Sequence, residues 1–448
     1  MTALFDQFSK KMLVQCRTCP SPIFSIFSKG TRRPFHGWPH VSPAPPDPIL
    51  GLTIDFLQDA YPNKVDLGVG AYRDDNGQPW VLESVRLAEI KRYNEILSSF
   101  SSSLSEEKML ITRNHEYLPI SGNKRFVELA VSLAYGPLIE NRSVAACQSL
   151  SGTGALRLAA EWLKTYAQAE ILVPNPTWPN HFNIFSRAGF TIAPYRYWHA
   201  QNLELDLDGL LTDLQDAPSE KIVLLHVCAH NPTGCDPTRD QWKSIERVVA
   251  DKNHLVLFDM AYQGFSSGDP DKDAWAVRYF VEKGHNVLLC QSFAKNMGLY
   301  GQRVGAFSFL CKDETEKKAC ESQLNRIIRS LYSSPPIFGA EIAQKILEDE
   351  PLRKIWLADL TEMSQRIQSM RSTLFTLLRD RHDLSWEHIL KQTGMFAYTG
   401  FSKNQVQRLR ERHIYMTTDG RISIAGLNTK NIEYVASQFA EIGRLEQF

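Results

Sequence analysis

Lys221-Ile222-Val223-Leu224-Leu225-His226, followed closely by the polar turn His230-Asn231-Pro232-Thr233-Gly234, sets the reading of this chain. The run is short, apolar and without polar alternation, as in a strand buried on both faces. Ala169–Val173, Leu255–Phe258 and Val287–Leu289 read the same way, each bounded by turn or helix signals. From about Gly122 such runs alternate with amphipathic helical stretches. That alternation implies an α/β architecture, a mostly parallel sheet covered on both faces. After about Leu360 the pattern shifts to a long helix and then short strands around Met395–Tyr398 and Arg421–Ala425, which predicts a smaller α+β domain. Upstream, Pro43, Pro45, Pro46 and Pro48 make an extended arm leading into a short helix, Leu50 to Asp59.

The polar clusters fall at strand ends, and an open parallel sheet binds its ligands outside the carboxyl ends of its strands. Ser151-Gly152-Thr153-Gly154-Ala155-Leu156 is a glycine-rich turn opening a helix, whose free N–H groups suit a phosphate. It lacks the full G-x-G-x-x-G of a dinucleotide site and the Gly-Lys-Ser/Thr of a P-loop. In Phe258-Asp259-Met260-Ala261-Tyr262 an acid stands where a buried strand ends. Asp259 reads either as a helix cap or as a buried carboxylate needing a cationic partner. Ser292-Phe293-Ala294-Lys295-Asn296 is followed by Gly298 and then Arg303-Val304-Gly305. Most lysines are solvated surface charges, but Lys295, set between a strand and glycines beside Ser292 and Arg303, is a Schiff-base candidate. A phosphate cradle, an acid, a lysine, a tyrosine and an arginine are together what a pyridoxal 5'-phosphate site needs. The lysine forms the imine, and the acid keeps the pyridine nitrogen protonated so that the ring acts as an electron sink.

Composition narrows the alternatives. The 448 residues include 50 Lys+Arg against 50 Asp+Glu, so no basic excess supports nonspecific nucleic-acid binding. No uninterrupted apolar run approaches the roughly 18 residues of a spanning helix. Eight cysteines are scattered along the chain and read as reduced core thiols; Cys16 and Cys19 form a C-x-x-C with no second pair to complete a zinc site, so no metal is expected. Residues 1 to about 37 are distinct. Lys10, Lys11, Arg17, Lys29, Arg32 and Arg33 face a single acid, Asp6, among serines and phenylalanines. That is the description of an organellar transit peptide, cleaved near Arg32-Arg33-Pro34-Phe35, with a basic tail carrying no address as the alternative.

Longer ordered stretches carry a resemblance. Leu67-Gly68-Val69-Gly70-Ala71-Tyr72-Arg73, Ser151–Leu156, Asn231-Pro232-Thr233-Gly234 and Ser292–Asn296 closely resemble the aspartate aminotransferases, class I pyridoxal-phosphate-dependent enzymes. The resemblance runs from about Trp38 to near the C-terminus. Pro45–Gly51 and Ala294–Gly301 are similar to the mitochondrial form in particular. The fold implied is the type I fold of these enzymes, with residues 1–37 as transit peptide, 38–82 as arm and part of the small domain, 83–360 as the large cofactor-binding domain and 361–448 as the small C-terminal domain. The activity implied is reversible ping-pong transfer of the amino group between L-aspartate and 2-oxoglutarate, giving oxaloacetate and L-glutamate via a Lys295 aldimine. A homodimer with shared sites follows, placed in the mitochondrial matrix or, alternatively, the cytoplasm.

The resemblance also implies roles for single residues. Lys295 would hold the cofactor and shuttle the substrate proton. Asp259 would pair with the pyridinium nitrogen, with His181 and His226 as neighbours, while Tyr262 and Asn231 would hydrogen-bond the phenolic oxygen. Ser151, Gly152, Thr153, Ser292 and Arg303 would hold the phosphate, joined by Tyr117 from the other subunit, and Trp178 would stack on the ring. Arg421 would fork onto the substrate α-carboxylate and Arg329, again from the other subunit, onto its side-chain carboxylate. Two such forks select dicarboxylic amino and keto acids, because an apolar substrate leaves one charge unpaired. Gly70 would let the backbone approach the substrate. An aromatic or broad-specificity aminotransferase, or a catalytically silent binding protein, are the competing readings.

The sequence departs from the family at Pro179 and Ser121, where glycines are usual, at Ser334 in place of asparagine, at Glu341 in place of an arginine, and in an insertion from about Ile96 to Thr112.

Overall fold

The computed structural model describes residues 38, 41–44, 49–68, 70–98, 115–382 and 386–444. The expected leader over residues 1–37, Cys16 and Cys19 included, and most of the insertion lie outside these residues. The chain divides into a unit up to Pro46, whose described residues are exposed, and a unit from Asp47 onward that holds everything below.

Seven strands make the main sheet: β1 (Ser143–Leu150), β2 (Ile171–Asn175), β3 (Ile192–Arg196), β4 (Ile222–His226), β5 (Leu255–Met260), β6 (Leu288–Ser292) and β7 (Val304–Cys311). Their order is β1-β7-β6-β5-β4-β2-β3. Only β7 runs against its neighbours, and the other six strands run one way. Strands this apolar belong in the middle of such a sheet. Val223, Leu225, Val256 and Phe258 enter the core on one face, whereas Ile222, Leu224, Leu257 and Leu288 enter the core on the other. A period of two with no polar member needs cover on both sides, and the intervening helices supply it. The sequence reading did not single out β1, β3 and β7. In β7 the buried Gly305 and Ser308 interrupt the apolar run, and in β1 the buried Gln148 and Ser149 do.

Helices used below are α1 (Leu50–Gln58), α2 (Glu83–Ser98), α3 (Lys124–Tyr135), α4 (Ser151–Tyr166), α5 (Asn180–Arg187), α6 (Glu314–Leu331), α7 (Phe338–Glu348) and α8 (Glu350–His382). Of these, α8 is the expected long helix, and it runs unbroken through the expected boundary at residue 360. Beyond it, β8 (Phe396–Tyr398) and β9 (Arg421–Ser423) pair antiparallel, with Tyr398 opposite Arg421. Buried Arg371 of α8 donates to the carbonyls of Ile389, Gly394 and Phe396 at 3.1, 2.8 and 2.9 Å, fixing the segment that enters β8. Pro179, a departure from the family, immediately precedes α5 with φ −56°, a value proline's ring enforces and a helix entry accepts. Glu341 of α7 pairs with Arg92 of α2, so its charge is answered within the chain.

Strand register brings the polar clusters together. His226 lies opposite Asp259, Asp259 opposite Cys290, Ser292 opposite Gly305, and Leu150 opposite Val304. The carboxyl ends of β1, β4, β5 and β6 and the start of β7 therefore share one edge.

Candidate active site

A cavity of about 210 Å³ opens at that edge. Gly70, Ser151, Gly152, Thr153, Trp178, His226, Asn231, Asp259, Tyr262, Ser292, Lys295, Arg303 and Arg421 line it, so the expected residues from every cluster converge.

Asp259 closes β5 and is buried. Its Oδ2 accepts from His181 Nε2 at 3.1 Å. Burial pushes this carboxyl up, but the His181 hydrogen bond, with the nearby Lys295 ammonium, outweighs burial and holds it below the usual range. A chain of donors fixes the arrangement. The Asn231 N–H donates to His226 Nδ1 at 3.2 Å, so that nitrogen carries no proton. His226 Nε2–H then points to Thr177 Oγ1 at 3.4 Å, and the Thr177 hydroxyl to His181 Nδ1 at 2.8 Å. That leaves His181 Nε2–H for Asp259. Burial, reinforced by His181, depresses His226 to about 3, which keeps it neutral in this role.

Lys295 follows β6, half-buried at the cavity wall, its Nζ 5.7 Å from the Tyr262 ring centre and 5.9 Å from that of Tyr300. Burial and the neighbouring Arg303 lower its ammonium to about 8, against the pull of Asp259. An amine so lowered is available as a nucleophile and base near neutral pH. Burial raises the Tyr262 hydroxyl above its ordinary range.

The glycine-rich turn opens α4 as expected. Ser151 sits at φ +60° with its Oγ 3.0 Å from Ser292 Oγ. A Cβ at Gly152 would come within 3.2 Å of Ser292 Cβ and fill the space between turn and strand. Arg303, also left-handed at φ +52°, donates to Tyr300 O at 3.0 Å. Helix terminus, hydroxyls and guanidinium together form an anion cradle.

Arg421 on β9 is buried, with Nη2 donating to Gly68 O at 2.6 Å and Nη1 to Asn231 Oδ1 at 3.3 Å. Its guanidinium lies 4.3 Å from the Phe396 ring centre, and burial lowers its pKa. Its Nε has no partner among the described residues. An unpartnered buried donor on a cation is costly unless an anion comes to it. These residues fit pyridoxal phosphate: an anion cradle for the phosphate, a buried carboxylate and a lowered amine line the same cavity.

A family model, aminotransferase class I and II, matches residues 62–439. The chain belongs to the class I and II aminotransferases. Among aminotransferase relatives, the mitochondrial aspartate aminotransferase of Arabidopsis thaliana is 46% identical over 428 residues, covering 94% of this chain and 95% of that one. The cytoplasmic aspartate aminotransferase of Saccharomyces cerevisiae has a similar structure, with a TM-score of 0.84 at 44% identity over 91% of this chain and 98% of that one. The aromatic-amino-acid aminotransferase of Burkholderia pseudomallei, solved covalently bound to pyridoxal phosphate, gives 0.84 at 38% identity over 90% and 98%.

Two expected residues stand away from this aminotransferase cavity. Tyr117 is 81% exposed, and Arg329, at the end of α6, is exposed and bonded to Ser333 Oγ. Gly70 lines the cavity, but a Cβ there would meet Phe396 Cζ at 3.0 Å, so its smallness also makes room for the ring beneath Arg421. Sequence reasoning missed Thr177, which links the two histidines, and Phe396. Both look ordinary in sequence; the position of Thr177 four residues before His181 on a turn into α5 is the one local signal.

Proposed function

We propose that the chain is a pyridoxal-phosphate-dependent aspartate aminotransferase that reversibly transfers the amino group between L-aspartate and 2-oxoglutarate, giving oxaloacetate and L-glutamate. The observation that carries this is Arg421: a buried guanidinium with a free Nε–H, set beside a lowered lysine and a histidine-supported aspartate. When bound, pyridoxal phosphate supplies an aldehyde carbon for amines and a ring that accepts the electron pair left when the substrate Cα–H bond breaks. Ser151, Gly152, Thr153, Ser292 and Arg303 hold its phosphate, and Trp178 covers its ring. Asp259, kept ionised and oriented by His181, holds a proton at the ring nitrogen. Tyr262 and Asn231 serve the phenolic oxygen. Lys295 accepts the Cα proton and returns it on the other side of the transfer, and a pKa near 8 suits both tasks. Arg421 orients the α-carboxylate.

A homodimer completes the site. Tyr117 and Arg329 are exposed on this chain and reach the neighbouring copy, Tyr117 toward the phosphate and Arg329 toward the side-chain carboxylate of aspartate or glutamate. The mitochondrial names of relatives and the Arg- and Ser-rich leader support a mitochondrial matrix location. Steady-state turnover with 2-oxoglutarate tests the assignment. Aspartate is expected to exceed phenylalanine in kcat/KM by on the order of a hundredfold, since phenylalanine leaves one guanidinium unpaired, and Lys295→Ala is expected to abolish both. Equal turnover of the two amino acids overturns the dicarboxylate reading, and an active Lys295→Ala overturns the role of the lysine.

A further inference from the structure

Gln148 lies fully buried in β1, one of the two edge strands of the sheet, and each of its four polar groups has a partner. Its N–H donates to Ser121 O at 2.9 Å, and its carbonyl accepts from Tyr332 Oη at 3.3 Å. Its side-chain Oε1 accepts from the Asn123 N–H at 2.9 Å, and Nε2 donates to Pro336 O at 2.7 Å. These partners come from two segments far apart in sequence. One is the turn through Ser121 and Gly122, just after Tyr117; the other is the loop Tyr332–Pro336, just after Arg329. The segments also touch each other. A Cβ on Gly122, which sits at φ +92°, would come within 2.3 Å of Gln148 Cβ and 3.1 Å of Pro335 Cγ. Ser333, at φ +70° in the second loop, accepts directly from Arg329.

We propose that Gln148 is a positioning residue that sets Tyr117 and Arg329 jointly for the neighbouring subunit's site. One buried amide would fix the base of both groups, the phosphate contact and the distal-carboxylate contact. An apolar side chain at 148 would leave the Asn123 N–H and the Pro336 carbonyl unpaired, freeing the two segments to move apart. Reaction geometry is sensitive to displacements of about 1 Å. Gln148 lines no part of the cavity of its own chain, so its influence is expected in trans. This rests on the reading that Tyr117 and Arg329 serve a second copy.

Mixed dimers purified with two different tags, as holoenzymes, test the proposal. In the first, a Gln148→Met chain with intact Lys295 pairs with a Lys295→Ala chain that keeps Gln148. In the second, one chain carries both substitutions and the other is unaltered. Each dimer holds one complete lysine site. The first is expected to show the unaltered KM for aspartate and unaltered retention of pyridoxal phosphate on dialysis. The second is expected to show a KM on the order of tenfold higher and faster loss of pyridoxal phosphate. A defect in the first dimer, equal defects in both, or none in either overturns the role of Gln148. Arg329→Ala in the same two arrangements tests the underlying reading separately, because it should act only in the second. If it acts in the first, or if no mixed dimer assembles, the shared site fails and the proposal falls with it. Should Gln148→Met not fold, Gln148→Glu keeps the acceptor for Asn123 and loses the donor to Pro336. It is expected to raise the KM in trans with pyridoxal phosphate retained, and an unchanged KM overturns the proposal.

Discussion

Lys295 takes its chemistry from its surroundings. Burial and Arg303 bring its pKa to about 8, and a lysine so lowered is a free amine above that pH and an ammonium below it. Uptake of pyridoxal phosphate by the apoprotein, followed by borohydride trapping on Lys295, is therefore expected to speed up as pH rises through about 8 and then level off. A rate still climbing steeply at pH 10 contradicts the lowered pKa. Thr177 makes a second prediction. Thr177→Val removes the hydroxyl that donates to His181 Nδ1, so the proton that His181 offers Asp259 is no longer specified. Turnover should fall on the order of tenfold with little change in the aspartate KM; a kcat unchanged from the parent enzyme counts against the relay. Asp259 and Lys295 were legible because a charged residue at or just after the end of an apolar strand is out of place, whereas Arg421, which starts β9, was reached only through the resemblance. Thr177 was not legible, since a threonine in a turn is the commonest of sights, and its meaning lies in a histidine reached only through the fold.

Elements place these residues by register. The four strongly apolar strands could be read from composition because burial on both faces favours an unbroken apolar run. β7 could not, yet it holds the cradle in place. Gly305, between Ser292 of β6 and Ser149 of β1, leaves no space for a side chain: a Cβ would lie 2.6 Å from Gln291 O and from the Ser151 carbonyl carbon. Gly305→Ala should cost about 1–3 kcal/mol and weaken cofactor retention together, read by thermal unfolding of apoprotein and holoprotein and by dialysis. Full retention in a destabilised variant would separate the strand from the cradle. The pairing of Glu341 with Arg92 and the helix entry at Pro179 show how two residues that look foreign to the family are accommodated locally. Sequence alone could not supply Arg92, which lies on another helix.

The whole molecule balances 50 basic against 50 acidic residues, yet its cavity gathers Lys295, Arg303 and Arg421 around spaces suited to anions. Tyr117 and Arg329, the remaining groups that the resemblance implied, stand on the surface of this chain, a placement that a single sequence does not reveal and that dimer formation would make useful. The long helix α8 touches the parts that carry Lys295 and Arg421: its Trp356 Nε1–H donates to Asn296 O at 2.7 Å, beside Lys295, and its Arg371 holds the segment entering β8, which pairs with the β9 that carries Arg421. The central claim is that this cavity takes the amino group from aspartate onto pyridoxal phosphate held at Lys295. The most direct measurement is the visible absorption spectrum of the purified holoprotein before and after addition of aspartate alone. A visible band that depends on pH is expected to be lost on adding aspartate, with release of stoichiometric oxaloacetate, and to return on adding 2-oxoglutarate. A holoprotein whose band is indifferent to aspartate would contradict the claim.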